Sequence, residues 1–284
     1  MKTRIAPTPS GYLHLGNLLS FAYTWLLAHQ QHGSLLLRID DIDNDRFRPA
    51  YLDYIFSCLR QYGISYTEGP QDAADFAARW SQQHRMPRYQ QLLQQLAHAG
   101  HVFACQCSRQ QQQQQGCPCQ QLSLPLDTAG VQWKLRVPED TIVSWADALL
   151  GQQQIPLAKV MGPFVVKRKN GWPSYQLASV ADDEDFAITH IVRGHDLLHS
   201  TAAQLLLAQL LDFSGFQQIR FYHHALLTDT QGEKLSKSAG AQAAPPAPAA
   251  DFDEQVRRFL QQLYPRLQWP AGLAWQQLSV PLSA

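Results

Sequence analysis

The stretch that most constrains the fold is the opening one, Arg4-Ile-Ala-Pro-Thr-Pro-Ser-Gly-Tyr-Leu-His-Leu-Gly-Asn17. A strand-like start at Ile5 and Ala6 runs into Pro7, Pro9 and Gly11, which break it into a tight turn. From Leu15 to His29 the apolar residues then take helical spacing, with Leu18, Leu19, Ala22 and Leu26 on one side. A helix that begins beside such a turn presents free N–H groups and a partial positive charge, which favours phosphate. His14 and Asn17 share one face of its first turn. The stretch therefore predicts a nucleotide site in an α/β fold.

The rest of the chain continues that pattern. Ser34 to Ile39 reads as a buried parallel strand. It ends in Asp40-Asp41-Ile42-Asp43, at the edge where open α/β sheets bind ligands, so at least one of these acids is expected to face a substrate. The alternative is an N-cap cluster for the next helix, Pro49 to Tyr62. Residues 73–100 read as helical in two pieces with a break near Met86-Pro87, the second burying Tyr89, Leu92, Leu93 and Leu96. Ile188 to Gly194 is a further buried strand with Arg193 at its C-terminal end. A guanidinium there suits a bidentate carboxylate ligand, or else pairs with Asp182 or Asp196. Phe221 to Leu227 resembles another strand and feeds Lys234-Leu-Ser-Lys237-Ser238, a compact cationic loop. An Ala- and Pro-rich linker follows, then an amphipathic helix over 251–264.

Between these elements lies a segment of different character. Four of the five cysteines, Cys105, Cys107, Cys117 and Cys119, fall within it, and the glutamines between them could not form a core. The cluster suggests a four-thiolate zinc site, with two disulfides or unrelated thiols as the alternative. Cys58 stands apart in an apolar helical pattern, as a buried small hydrophobe would. Val131 to Val137 alternates like a half-buried strand, and Asn170-Gly171 signals a hairpin. Residues 105–174 are thus expected to form an inserted, partly β module. Lys159, Lys167, Arg168 and Lys169 make it locally basic, either as a solvated hairpin or as a phosphate-backbone contact. Lys plus Arg equal Asp plus Glu at 23 each, so any nucleic-acid contact has to come from such a local patch. The start lacks the apolar stretch of a signal peptide and no run is suited to span a membrane, which points to the cytoplasm.

Two separated motifs, His14-Leu-Gly-Asn17 and Lys234-Leu-Ser-Lys-Ser238, resemble the paired signatures of class I aminoacyl-tRNA synthetases. Arg4 to His14, Arg38-Ile-Asp-Asp-Ile-Asp43 and Ile191-Val-Arg-Gly194 resemble the glutamyl branch. The short stretch after the lysine motif and the cysteine cluster look like the glutamyl-Q tRNA(Asp) synthetases. Members of that family activate L-glutamate with ATP and pass it to the queuosine base in the anticodon loop of tRNA(Asp). The resemblance implies a Rossmann-type parallel-sheet catalytic domain in two halves, 1–100 and 175–238. An α+β zinc-binding module (101–174) would be inserted between them, with a linker and short helical region at 239–284. It implies that His14, Gly16, Asn17 and Lys237 contact ATP, used with Mg2+, and that Lys234 assists Lys237 in catalysis. It implies that Arg4, Ile5, Ala6, Pro7, Thr8, Asp40, Tyr175 and Arg193 bind glutamate, that zinc is structural, and that the protein is a monomer. Three residues depart from the family pattern: Asn17 replaces a histidine, Asp40 a glutamate, and Cys117 a tyrosine zinc ligand. Two rivals remain, a glutamate-activating ligase with another acceptor and a non-catalytic paralogue that binds tRNA or glutamate.

Overall fold

A computed structural model describes residues 1–226 and 251–282, apart from 109, 112, 113, 115, 116 and 271. Strand β1 (Lys2–Ile5) leads through the Pro-rich turn into helix α1 (Leu15–Gln30), then β2 (Ser34–Leu37), which pairs parallel with β1. Helix α2 (Pro49–Gln61) takes Pro49 in its first turn and buries Leu52, Ile55, Phe56, Cys58 and Leu59. The first expected piece of residues 73–100 is a succession of short turns. The second is a regular helix, α3 (Met86–His98), which buries Tyr89, Leu92, Leu93 and Leu96.

The chain then builds a small antiparallel sheet from β3 (Val102–Cys105), β4 (Gln132–Leu135) and, after the hairpin of β5 (Ile142–Asp147) and β6 (Gly151–Pro156), β7 (Val165–Lys167). Sequence alternation made β4 a half-buried strand. As the middle strand of three it is paired along both edges, and Trp133, Lys134 and Leu135 are all buried, so both of its faces are covered. After β7, Asn170 and Gly171 form the expected tight turn, with Gly171 at φ 86°.

Helix α4 (Tyr175–Asp185), strand β8 (His190–Gly194), helix α5 (Leu198–Leu210) and strand β9 (Arg220–His224) complete the second parallel unit. The β5–β6 hairpin, which the sequence reading did not assign as strands, joins this sheet, in the order β6-β5-β9-β8. Strand β1 runs beside β8: Thr189 donates its N–H to the Lys2 carbonyl at 2.9 Å, and the Thr3 hydroxyl donates to the His190 carbonyl at 2.8 Å. The C-terminal ends of β1, β2, β8 and β9 therefore meet at one edge. Helix α6 (Phe252–Leu263) buries Phe252, Val256, Phe259 and Leu260 in the core it shares with α1, where the Tyr23 and Tyr264 hydroxyls are 2.6 Å apart. Helix α1 is buried on most of its circumference as a result.

Candidate active site

A cleft of about 280 Å³ opens at that shared strand edge. Arg4, Ile5 and Ala6 line it from β1, His14, Gly16, Asn17 and Ser20 from the start of α1, Tyr175 from α4, and Arg193 from β8. The sequence-predicted residues therefore converge from four separate elements. Thr8 and Asp40 line a neighbouring cleft of about 600 Å³, whose far wall is Gln132, Lys134 and Arg168 of the antiparallel-sheet region. Tyr175 borders both clefts. Pro7 lies on a third depression with Ala6, Thr8 and Asn17. Lys234 and Lys237 lie outside the described residues.

The local geometry of α1 suits an anion. His14 is the N-cap residue, and its backbone N–H donates to the Asn17 side-chain oxygen at 3.1 Å. That contact fixes which end of the Asn17 amide is occupied, leaving its NH2 donors for a ligand. No acidic residue stands in the first turn of this helix, so nothing opposes the positive end of its dipole. Ser20 accepts from or donates to His224 Nε2 at 3.0 Å on the cleft floor, and burial holds the His224 imidazole below its usual pKa. At Gly194 a Cβ would lie 2.6 Å from Asp196 Oδ1 and 2.9 Å from the Leu226 side chain, so any larger residue would have to displace both side-chain ends.

A network of buried charges lies behind the cleft. The Arg38 guanidinium donates to both oxygens of Asp40, at 2.6 and 3.1 Å. Arg38 also reaches Asp183 Oδ1 at 2.7 Å, which accepts from Arg4 Nε at 3.0 Å as well. Burial pushes the Asp40 carboxyl up to about 6 against the pull of Arg38. Burial also works on Asp183, but Arg38 and Arg4 outweigh it and hold that carboxyl below the usual range. Arg193 is equally buried, and burial lowers its guanidinium to about 10. Its Nε and Nη2 have no hydrogen-bond partner among the described residues. Pairing of Arg193 with Asp182 does not occur, since the oxygens of Asp182 are taken by Gln82, Arg85 and Tyr89.

The three acids after β2 have separate tasks. Asp40 pairs with Arg38, Asp41 accepts from Ser81 and the Gln82 N–H, and Asp43 accepts from Arg46. The N-cap of α2 is Arg48, so none of the three caps that helix. Arg38 and Asp183 went unassigned from sequence. An arginine inside an otherwise apolar strand was the available signal, because such a charge requires a buried carboxylate.

The sulfurs of Cys105, Cys107, Cys117 and Cys119 all lie within 4.8 Å of one another. Tetrahedral zinc with Zn–S near 2.3 Å requires sulfurs roughly 3.8 Å apart, so the donor set and its spacing fit that ion. All four cysteines are free thiols here, not disulfides. The cluster adjoins the second cleft through Gln132, whose Nε2 donates toward Cys105 Sγ at 3.5 Å.

Comparison with known proteins agrees with this geometry. The family model for the catalytic domain of class I tRNA synthetases (E and Q) matches residues 1–121 and 128–269. A crystal structure of glutamate-tRNA synthetase from Elizabethkingia anophelis superposes with a TM-score of 0.75 at 23% identity, over 98% of this chain and 64% of that one. The fold is thus that of a class I synthetase catalytic domain. The glutamyl-Q tRNA(Asp) synthetase of Nitratidesulfovibrio vulgaris is 36% identical over 84% of this chain and 78% of its own length. The one from Pseudomonas putida is 37% identical over 92% and 83% respectively. The chain belongs to the glutamyl-Q tRNA(Asp) synthetase family of class I ligases. No helix among the described residues is long and apolar enough to cross a membrane.

Proposed function

We propose that the protein activates L-glutamate with ATP, without needing tRNA, and transfers the glutamyl group to the queuosine base of tRNA(Asp). The observation that carries the amino-acid assignment is the unpaired Arg193 guanidinium in the cleft that also holds the start of α1. The chemistry of that guanidinium supports the same substrate. Arg4 and Arg38 share the carboxylates of Asp40 and Asp183, whereas Arg193 has no carboxylate hydrogen-bonded to it among the described residues. The side-chain carboxylate of glutamate supplies one, and the neutral amide of glutamine does not.

In this reading Arg193 holds the side-chain carboxylate, assisted by Tyr175 and Arg4. The backbone from Arg4 to Thr8 seats the main-chain end, and Asp40 faces the ammonium from where the second cleft meets the first at Tyr175, through lone pairs left over from Arg38. The α-carboxylate of glutamate attacks the α-phosphorus of Mg2+–ATP, a P–O bond forms, and the bond to pyrophosphate breaks. His14, the N–H groups near Gly16, and Asn17 stabilise the phosphoryl oxygens as charge builds on them. Lys237, with Lys234, is assigned to the departing pyrophosphate. The acceptor then enters from the second cleft, across Tyr175, and displaces AMP. Zinc held by Cys105, Cys107, Cys117 and Cys119 would supply a structural cross-link at that cleft's edge.

The relatives bearing the glutamyl-Q name support this acceptor. Labelled glutamate offered with queuosine-containing and queuosine-free tRNA(Asp) tests it. Transfer restricted to the modified tRNA is expected, and equal charging of unmodified tRNA or of its 3′ end would overturn the acceptor assignment. Glutamate-dependent ATP–pyrophosphate exchange tests activation separately, and its absence would return the protein to the class of non-catalytic binders.

A further inference from the structure

Among the described residues Arg193 has one hydrogen-bond partner, Gln204 of helix α5, whose Oε1 accepts from Nη1 at 2.8 Å. The two nitrogens left over, Nε and Nη2, form one side of the guanidinium, a pair of donors spaced for a single carboxylate. Gln204 is fully buried, and its own Nε2 has no partner among the described residues. The orientation of the amide is settled chemically, since turning it over would set its NH2 against the donors of Arg193. Leaving a buried NH2 without a partner is costly. An amide kept at that cost is doing something that a better-satisfied apolar or ionic residue would not.

The surroundings show what that is. The Arg193 guanidinium lies 5.4 Å from the centroid of the Phe221 ring. Asp183, whose charge acts on Arg193, is already shared by Arg4 and Arg38. His223, also close, is held between Asp147 at 2.5 Å and Thr201 at 2.8 Å, with burial keeping its pKa below the usual value. No described group of opposite charge is therefore committed to Arg193 alone. Its only hydrogen-bonded neighbour among the described residues is neutral.

We propose that Gln204 is a positioning and specificity-determining residue. It fixes the Arg193 guanidinium in place with an uncharged acceptor, so that the full positive charge stays available to a side-chain carboxylate of the substrate. A carboxylate at this position would hold Arg193 equally well but cancel the charge, and the site would lose its reason to prefer glutamate over glutamine. The inference rests on Arg193 as the binding group for that carboxylate.

The test compares glutamate- and glutamine-dependent ATP–pyrophosphate exchange for the wild-type enzyme, Q204E, Q204N and R193L, with folding checked by circular dichroism. For Q204E we expect a rise of tenfold or more in KM for glutamate, a smaller change in kcat, and a narrowing of the glutamate-to-glutamine ratio of kcat/KM by at least tenfold. Q204N is one methylene shorter and stays neutral. It should raise KM for glutamate without improving glutamine, and it carries the test if Q204E does not fold. A Q204E ratio equal to wild type, or equal falls for both amino acids in Q204N, would overturn the role of Gln204. If R193L abolishes the preference while the Gln204 variants leave it intact, only this inference fails. If R193L retains the preference, the assignment of Arg193 fails and this inference with it.

Discussion

If Asp40 faces the glutamate ammonium as proposed, it sets the acid limit of activation. Its carboxyl, pushed up to about 6 by burial, must be ionised to balance Arg38 and face an ammonium. As pH falls through 6, kcat/KM for glutamate in the exchange reaction should drop and KM should rise, whereas D40N should be slower at neutral pH and lack this limb. Unfolding does not explain such a limb. A carboxyl whose folded pKa lies above its unfolded value binds a proton more readily in the native state, so between about pH 4 and 6 this group favours folding more as pH falls. A pH profile with no inflection between 5 and 7 would refute the assignment. Asn17 makes a second residue-level test, because its oxygen caps α1 while its NH2 is assigned to phosphate. N17A should destabilise the protein by about 1 kcal/mol, in line with lost helix caps, and also weaken ATP use. N17D keeps the acceptor for the His14 N–H, so its urea midpoint should match wild type while its KM for ATP rises. Much at this scale could be read from sequence: His14, Asn17, Arg4, Tyr175 and Arg193 do share one cleft. Arg38 signalled a buried carboxylate, but that Asp183 answers it and that Gln204 meets Arg193 could not be read, because pairing among the end of β2, α4, β8 and α5 depends on how those elements pack.

At the scale of elements, regular periodicity was a sound guide and composition was not. Helices α1, α2 and α3 follow their apolar spacing, and α3 buries the four residues it was expected to bury. The β5–β6 hairpin escaped notice because Gln152, Gln153 and Gln154 give an edge strand no apolar alternation, and its place is set by Asp147 meeting β9. The cysteine cluster ties the end of β3 to the short helix that begins at Cys119. We expect one zinc per chain by metal analysis. Removing it with a chelator, or making C105S, should lower the melting temperature and impair transfer to tRNA. Glutamate-dependent exchange should survive, since the cluster adjoins the second cleft and not the first. Loss of exchange and transfer together would mean that the two clefts are not separable.

Across the whole molecule, α1 connects the candidate site to the C-terminal helix. Its first turn lines the cleft, while its side packs against Phe259 and Tyr264 and its last residue, Gln30, holds the backbone at Leu278, Val280 and Leu282. F259A should destabilise the protein by about 3–5 kcal/mol, the range for emptying a buried aromatic site, and calorimetry would show it as a lower melting temperature of a single transition. The amphipathic pattern of 251–264 made this helix visible in the sequence, but its docking partner was not.

Among the described residues, Tyr175 lines both the cleft assigned to activation and the cleft assigned to the acceptor. A mixed anhydride made on one side of this ring is screened by it from water in the other cleft. Y175A should therefore hydrolyse glutamyl-adenylate wastefully, releasing AMP without acceptor, whereas Y175F should stay tight. The ratio of AMP formed to glutamate transferred reads this leak directly, and it makes one side chain responsible for how faithfully the two half-reactions are coupled.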